Sequence, residues 1–250
     1  MKLKTLFVSL FWIFLVGSVS AQSATELLTA LDDLMAKAKD KEATVQIILT
    51  NKSGKEKIKE AQMLEKGKDR KLYRYTQPES QAGIATLSLP DGVMWLYMPA
   101  FNKATKISLL SKSSAFNGTD FSNEDMNFTS YSSLYKASME DANHPDYFLL
   151  KLTPKTKESE YSSILLYLNK TDHYPLKMEY FNNRDQKFKE ATYKYVLKNG
   201  YWYAEEVLMT DLKKEHSTKI IMTDIKFDQG LGDDVFTVEN LKVLGADAKK

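Results

Sequence analysis

The chain has 250 residues and no cysteine. Without disulfides, a fold bound for an oxidising compartment must be held by its core alone, and no cysteine is present to receive a lipid anchor. Proline and glycine are sparse, at six and ten. No linker rich in them divides the chain, and no segment repeats. Histidine occurs only as His144, His173 and His216, with no pair at metal-ligand spacing. A Gly-x-Ser-x-Gly elbow and a glycine loop that could cradle phosphate are also missing. No catalytic residue, metal or cofactor is therefore assigned, and the chain reads as a non-enzyme. Charge excess is lacking too: 35 basic residues face 33 acidic ones. They are interspersed without a basic face, which argues against nucleic acid as a partner.

Long apolar runs are absent except for one. Lys2 and Lys4 precede the run Leu6 to Val16, and small residues follow, ending in Val19-Ser20-Ala21. The run is well short of the ~20 residues a membrane span needs, and its three-part layout is that of a secretory signal peptide cut after Ala21. Residues 1–21 are thus expected to be a leader and residues 22–250 a single exported domain, free in a bacterial periplasm. Removing Lys2 and Lys4 leaves 33 basic residues of the 35, equal to the 33 acidic ones.

What is present is mostly strand pattern. One helix is legible, over Ala24–Lys39: Ser23 and Glu26 form a capping box. Leu27, Leu28, Leu31, Leu34, Met35 and Ala38 then recur on one face. From Thr44 the period changes to two. Strands are expected over 45–49, 57–64, 71–75, 83–89, 93–98 and 103–109. After an irregular middle they resume over 134–139, 147–152, 162–168, 176–181, 188–197, 201–209 and 218–227. Asn199-Gly200 is a strong hairpin turn, because both positions tolerate positive φ. So many consecutive hairpins with one amphipathic helix predict a mainly β fold. Its antiparallel sheet should curve strongly, since broad twisted sheets curl, and should enclose an apolar hollow.

Asp228-Gln-Gly-Leu-Gly-Asp233-Asp234 lacks the spaced ligands of a calcium loop and reads as a solvated turn. The Asn-x-Ser/Thr triplets at Asn51, Asn117, Asn127 and Asn169 are acceptors only in a eukaryotic secretory route, and read as chance. Fourteen tyrosines and ten methionines are more telling. Many stand in strands, and methionine adapts to irregular guests.

Three blocks then stand out in order: Arg70-Lys-Leu-Tyr-Arg74-Tyr-Thr-Gln-Pro78, Gly92-Val-Met-Trp95-Leu-Tyr97-Met-Pro99-Ala100, and Phe116-Asn-Gly118-Thr-Asp120-Phe-Ser-Asn-Glu124-Asp125-Met. Across residues 70–126 they resemble the LolA-like outer membrane lipoprotein-sorting family. Gly118 permits a tight bend, and Ser122 with Asp125 can cap a helical turn. The resemblance implies an incomplete β-barrel closed by an N-terminal helix and short lid helices, with a cavity for the acyl chains of lipoproteins. It implies Trp95, Tyr97, Tyr73, Tyr75, Leu87, Leu89, Leu166 and Met178 as cavity residues. Leu27, Leu31, Leu34, Met35 and Phe121 would belong to the lid. The arginine that fastens the lid in the family falls near Gly67 or Lys68 here, with Arg70 or Arg74 as substitutes.

The implied partners are acylated lipoproteins or other lipids, an inner-membrane transporter as donor and an outer-membrane acceptor, with the carrier a monomer. At about 0.8 kcal/mol per CH₂, a 16-carbon chain costs on the order of 12 kcal/mol to expose to water, so a sheltering carrier is needed. Two other readings share the hollow: a lipid- or lipoprotein-sensing envelope regulator, and a carrier of hydrophobic cargo for an export pump.

Overall fold

Alternation of apolar and polar residues along most of the chain has one low-energy outcome, hairpins that bury one face of each strand. The computed structural model describes residues 22–107, 115–126 and 130–247. The expected leader, residues 1–21, lies outside the described residues, as do Ser108 and Leu109 at the end of the sixth expected strand.

Six strands follow the first helix, α1 (Ala24–Met35): β1 (Asp40–Thr50), β2 (Glu56–Lys66), β3 (Arg70–Gln77), β4 (Ala85–Leu89), β5 (Val93–Met98) and β6 (Lys103–Ile107). The chain then passes through two single-turn helices, α2 (Asn123–Met126) and α3 (Tyr131–Leu134). Seven more strands follow: β7 (Tyr135–Asp141), β8 (Tyr147–Pro154), β9 (Ser163–Asn169), β10 (Pro175–Phe181), β11 (Lys187–Lys198), β12 (Tyr201–Asp211) and β13 (His216–Phe227). A last helix, α4, covers Val238–Asp247.

All thirteen strands form one antiparallel sheet in the order β6-β5-β4-β3-β2-β1-β13-β12-β11-β10-β9-β8-β7. The first six strands run outward from β1, and the last seven return from the far edge to pair β13 with β1. Strands β6 and β7 are the two edges, so the barrel is incomplete. Asn199 (φ 53°) and Gly200 (φ 80°) make the β11–β12 turn as the sequence predicts.

This order dictates what fills the concave side. The connection from β6 must reach the opposite edge at β7, and the described part of it lies over the hollow. Its motif segment Ala115–Met126 is a strap. Asn117 (φ 49°) and Gly118 (φ 78°) bend it so that Phe116 N–H donates to the Phe121 carbonyl at 2.8 Å. Phe116, Phe121 and Met126 are buried in the concave core with Leu27, Leu28 and Leu31 of α1.

Helix α1 ends earlier than its apolar pattern suggests, at Met35 rather than Lys39. Its capping box at Ser23 and Glu26 forms as expected. The chain leaves the helix because Asp40 is needed in β1: its carboxylate accepts from the backbone N–H groups of Gln229, Gly230 and Leu231 at 2.6, 2.8 and 3.1 Å. Those bonds anchor the loop that leads to α4, and Asp233 in the same loop pairs with Lys66. This acidic stretch is thus tied to the sheet rather than merely solvated.

Candidate functional site

Cross-strand pairing puts Lys41 of β1 beside Glu65 of β2, and Glu65 beside Lys71 of β3. All three point into the hollow, in the row next to Ala43, Met63 and Tyr73. The Glu65 carboxylate meets Lys41 Nζ at 3.1 Å and Lys71 Nζ at 2.6 Å. Burial alone would raise its pKa, but the two ammonium groups outweigh that and hold it down to about 2.

These residues line a cavity of about 160 Å³ between sheet and cover. Its walls are mostly apolar and aromatic: Tyr73 and Met63 on one side, Tyr180, Tyr193 and Tyr195 on another, and Val207, Ile220 and Met222 below. Met35 of α1 and Phe121, Asp125, Met126 and Tyr131 of the crossing segment form the cover. The hydroxyls of Tyr131, Tyr180 and Tyr193 all donate toward the thioether of Met178, at 3.8, 3.5 and 3.4 Å. A thioether is a weak acceptor, so this wall is greasy yet not fully satisfied.

The cover is attached by a few polar ties. Lys41 Nζ donates to the Met35 carbonyl at 2.7 Å, at the open C-terminal end of α1, where a cation is favoured. Asp32 of α1 accepts from the backbone N–H groups of Tyr131 and Ser132 at 2.7 and 2.9 Å, joining α1 to α3. The three acids of the motif tie it down in two regions: Asp120 on β13, and Glu124 and Asp125 on residues 159–161 between β8 and β9, with Glu124 also reaching Tyr135 of β7. Asp120 contacts His216 and Thr218 of β13, both at 2.6 Å. Glu124 accepts from Tyr135 Oη, Ser159 Oγ and Glu160 N–H at 3.0, 2.8 and 3.0 Å. Asp125 accepts from Ser122 N–H at 2.7 Å and from Tyr161 Oη at 2.7 and 2.8 Å. Ser122 and Asp125 cap α2 reciprocally, as the sequence predicts. Burial beneath the strap pushes the Asp125 carboxyl up to about 6, against the pull of those bonds and of Lys189.

The expected cavity residues fall on two faces of the sheet. Tyr73, Tyr75, Leu166 and Met178 belong to the concave core, and of these Tyr73 lines the cavity itself. Leu87, Leu89, Trp95 and Tyr97 lie on the opposite face, packed with Leu72 against Phe236, Val238 and Leu241 of the C-terminal segment. The register explains the split: Leu72 pairs with Leu87 and Leu87 with Trp95, one residue out of phase with Tyr73. Leu27, Leu31, Met35 and Phe121 sit in or against the concave core, with Leu34 half-buried on α1.

The arginines also lie away from the hollow. Arg74 donates to the Gly83 and Leu241 carbonyls at 3.4 and 3.3 Å, fastening α4, and Arg70 approaches Asp233. A cation that meets the cover from inside is Lys41. Glu65, Lys71 and the Tyr193–Tyr195 and Trp202–Tyr203 pairs also line the cavity. The signal for the ion trio was legible in principle, as charged residues at inward positions of three adjacent strands.

A family model described as "Uncharacterized protein" matches residues 67–243, well over half of the chain. No curated protein matches. Three solved structures are similar throughout. A DUF1329 family protein from Desulfovibrio piger has a TM-score of 0.81 at 23% identity, over 87% of this chain and 97% of that one. A domain assigned to outer membrane lipoprotein sorting, from Vibrio parahaemolyticus, has a TM-score of 0.75 at 29% identity, over 86% and 97%. A LolA superfamily protein from Nitrosomonas europaea has a TM-score of 0.74 at 23% identity, over 88% and 100%. With a family match over most of its length, the chain belongs to the family of that model, and its open, covered sheet is the LolA-like fold.

Proposed function

We propose that the protein is a non-enzymatic periplasmic carrier that shelters acyl chains, of lipoproteins or of other lipids, on the way to the outer membrane. The observation that carries this reading is the separate cover. A helix and a strap lie over an apolar hollow and are joined to the sheet by a handful of polar ties, rather than being woven into it.

The present cavity of about 160 Å³ is below the roughly 300–1,000 Å³ typical of ligand sites. It is a closed form, and loading requires α1 and the strap to shift outward so that cargo takes their place on the concave face. The exchange is reversible in principle because cargo displaces side chains of comparable greasiness. Leu27, Leu28 and Leu31 occupy apolar surface that an acyl chain would cover equally well. The polar wall around Met178 limits how tightly the chain is held.

Vesicles containing a fluorescent triacylated lipopeptide, separated from the protein by centrifugation, test the reading. The protein is expected to draw the label into the soluble fraction in proportion to its amount. A soluble fraction that stays unlabelled at excess protein contradicts it.

A further inference from the structure

Single exposed apolar side chains are ordinary on a protein surface. Here they gather at one end. Among the described residues the large exposed ones are Phe101, Ile58, Leu197 and Leu212, at 71, 53, 53 and 40%. Antiparallel pairing sends the β1–β2, β5–β6 and β12–β13 turns to the same end of the sheet. Phe101 stands in the β5–β6 turn, Leu212 opens the β12–β13 turn, and Ile58 lies just past the β1–β2 turn. Of the four, only Leu197 belongs to the other end.

Two of these turns are neighbours, because Thr50 at the end of β1 pairs with Ser217 at the start of β13. Lys55 and Lys57 from one side and His216 from the other line a shared hollow of about 180 Å³. Lys52, Lys55, Lys57, Lys213 and Lys214 are exposed around it, with Glu56 and Glu215. Asp211 pairs with Lys214 at 2.9 Å, and Asp120 holds His216. That leaves four lysines against two glutamates, a basic patch. The two ends of the sheet also differ in sign. The six hairpin turns at this end hold seven lysines and arginines and five acids, whereas the five at the other end hold two and four.

Exposed cations beside protruding apolar tips match an anionic bilayer. Lysines approach the lipid phosphates, and the tips pass between the head groups. Phe101 and Leu212 stand on turns several strands apart, which suits a broad, fluid partner better than a pocket on another protein. We infer that this rim docks on anionic lipid bilayers, with Phe101 and Leu212 entering the head-group layer and Lys52, Lys55, Lys57 and Lys213 against the phosphates. Lys41, at the cavity, stands at the opposite end of β1, about 30 Å from Thr50 at ~3.3 Å per residue. Docking thus leaves the cavity end away from the bilayer, and the inference stands apart from the carrier reading.

Co-sedimentation of the purified protein with sucrose-loaded vesicles tests it. Vesicles of phosphatidylcholine alone are compared with vesicles of phosphatidylcholine mixed equally with phosphatidylglycerol. Binding to the mixed vesicles should be roughly tenfold tighter or more at low salt, and should weaken as salt is raised. The double variant Lys55→Gln/Lys213→Gln should weaken it about tenfold, and Phe101→Ser/Leu212→Ser by a similar factor. Leu197→Ser and Lys68→Gln, at the other end, should leave it unchanged. Thermal melts in solution report that each variant is folded. Equal binding to both vesicles, or none to either, overturns the inference. So does binding that survives the lysine pair or the apolar pair, or that falls equally in the variants of the other end. Uptake of an acylated probe is a separate readout, so none of these outcomes decides the carrier reading.

Discussion

Lys41 Nζ lies 2.7 Å from the carbonyl oxygen of Met35, so the helix that covers the hollow ends on a cation rooted in the sheet. Glu65 fixes that cation from the other side at 3.1 Å. The bond joins a strand whose position is set by pairing on both edges to a helix held mainly by apolar packing. It is thus a place where the cover can be loosened without disturbing the sheet.

Replacing Lys41 by Gln removes that tie while Lys71 still neutralises Glu65. Hydrogen–deuterium exchange should speed up in the last turn of α1 by roughly tenfold, from the loss of one charge-assisted bond. Exchange in α4, on the opposite face, should not change.

Asp32 performs the second tie, from α1 to the start of α3. Asp32→Ala leaves two backbone donors without their acceptor and should cost about 1–2 kcal/mol, a fall in Tm of about 2–8 °C for a domain of this size. Its neighbour Asp33 is exposed and pairs with Lys68 at the surface. Asp33→Ala should lie within about 0.5 kcal/mol of wild type. Equal effects of the two substitutions would mean that Asp32 does not bind α3 in solution.

The two carboxyls of the cavity give opposite pH dependences. Glu65 has a depressed pKa, so its contribution is present above about 4.5 and is lost as pH falls toward about 2. Asp125 has a raised pKa: the folded chain holds its proton more tightly than the unfolded chain does. Stability from this group is complete below 3.8 and is lost as pH rises through about 6. Thermal melts of Asp125→Asn should therefore lack the decline that the wild type shows between about pH 4 and 6, and at pH 7 the variant should melt no lower than the wild type.

The two faces of the sheet can be separated by substitution. Ala204 lines the cavity, so Ala204→Trp should fill it and abolish uptake of an apolar dye while the protein stays folded. Trp95 packs under α4 on the far face. Trp95→Ala should lower stability, by up to the ~3–5 kcal/mol typical of large aromatic deletions, and leave dye uptake intact below its melting temperature.

Much of this architecture is legible in the sequence, because the period-two pattern and the turn residues fix hairpins locally. All thirteen strands stand close to where alternation places them, and Asn199-Gly200 forms its turn. The motif Phe116–Met126 is legible as a bend and a capped turn, although not the anchoring by Asp120, Glu124 and Asp125. Alternation does not say which side of a strand is concave. Leu72, Tyr73, Arg74 and Tyr75 are all buried, since β3 is covered on both faces, so its pattern could not assign Trp95 or Leu87 to a side. Helix α4 escaped notice because it is short and its apolar residues do not gather on one face as those of α1 do. Thr237, whose Oγ1 accepts from Asn240 N–H at 3.2 Å, was the cue for its start.

Native mass spectrometry of the protein, purified gently from cells that make it, tests the central claim most directly. The account predicts a population carrying the mass of an acylated molecule, absent from Ala204→Trp prepared in parallel. A wild-type spectrum containing only the bare chain, unchanged after incubation with lipids and lipopeptides, would contradict it.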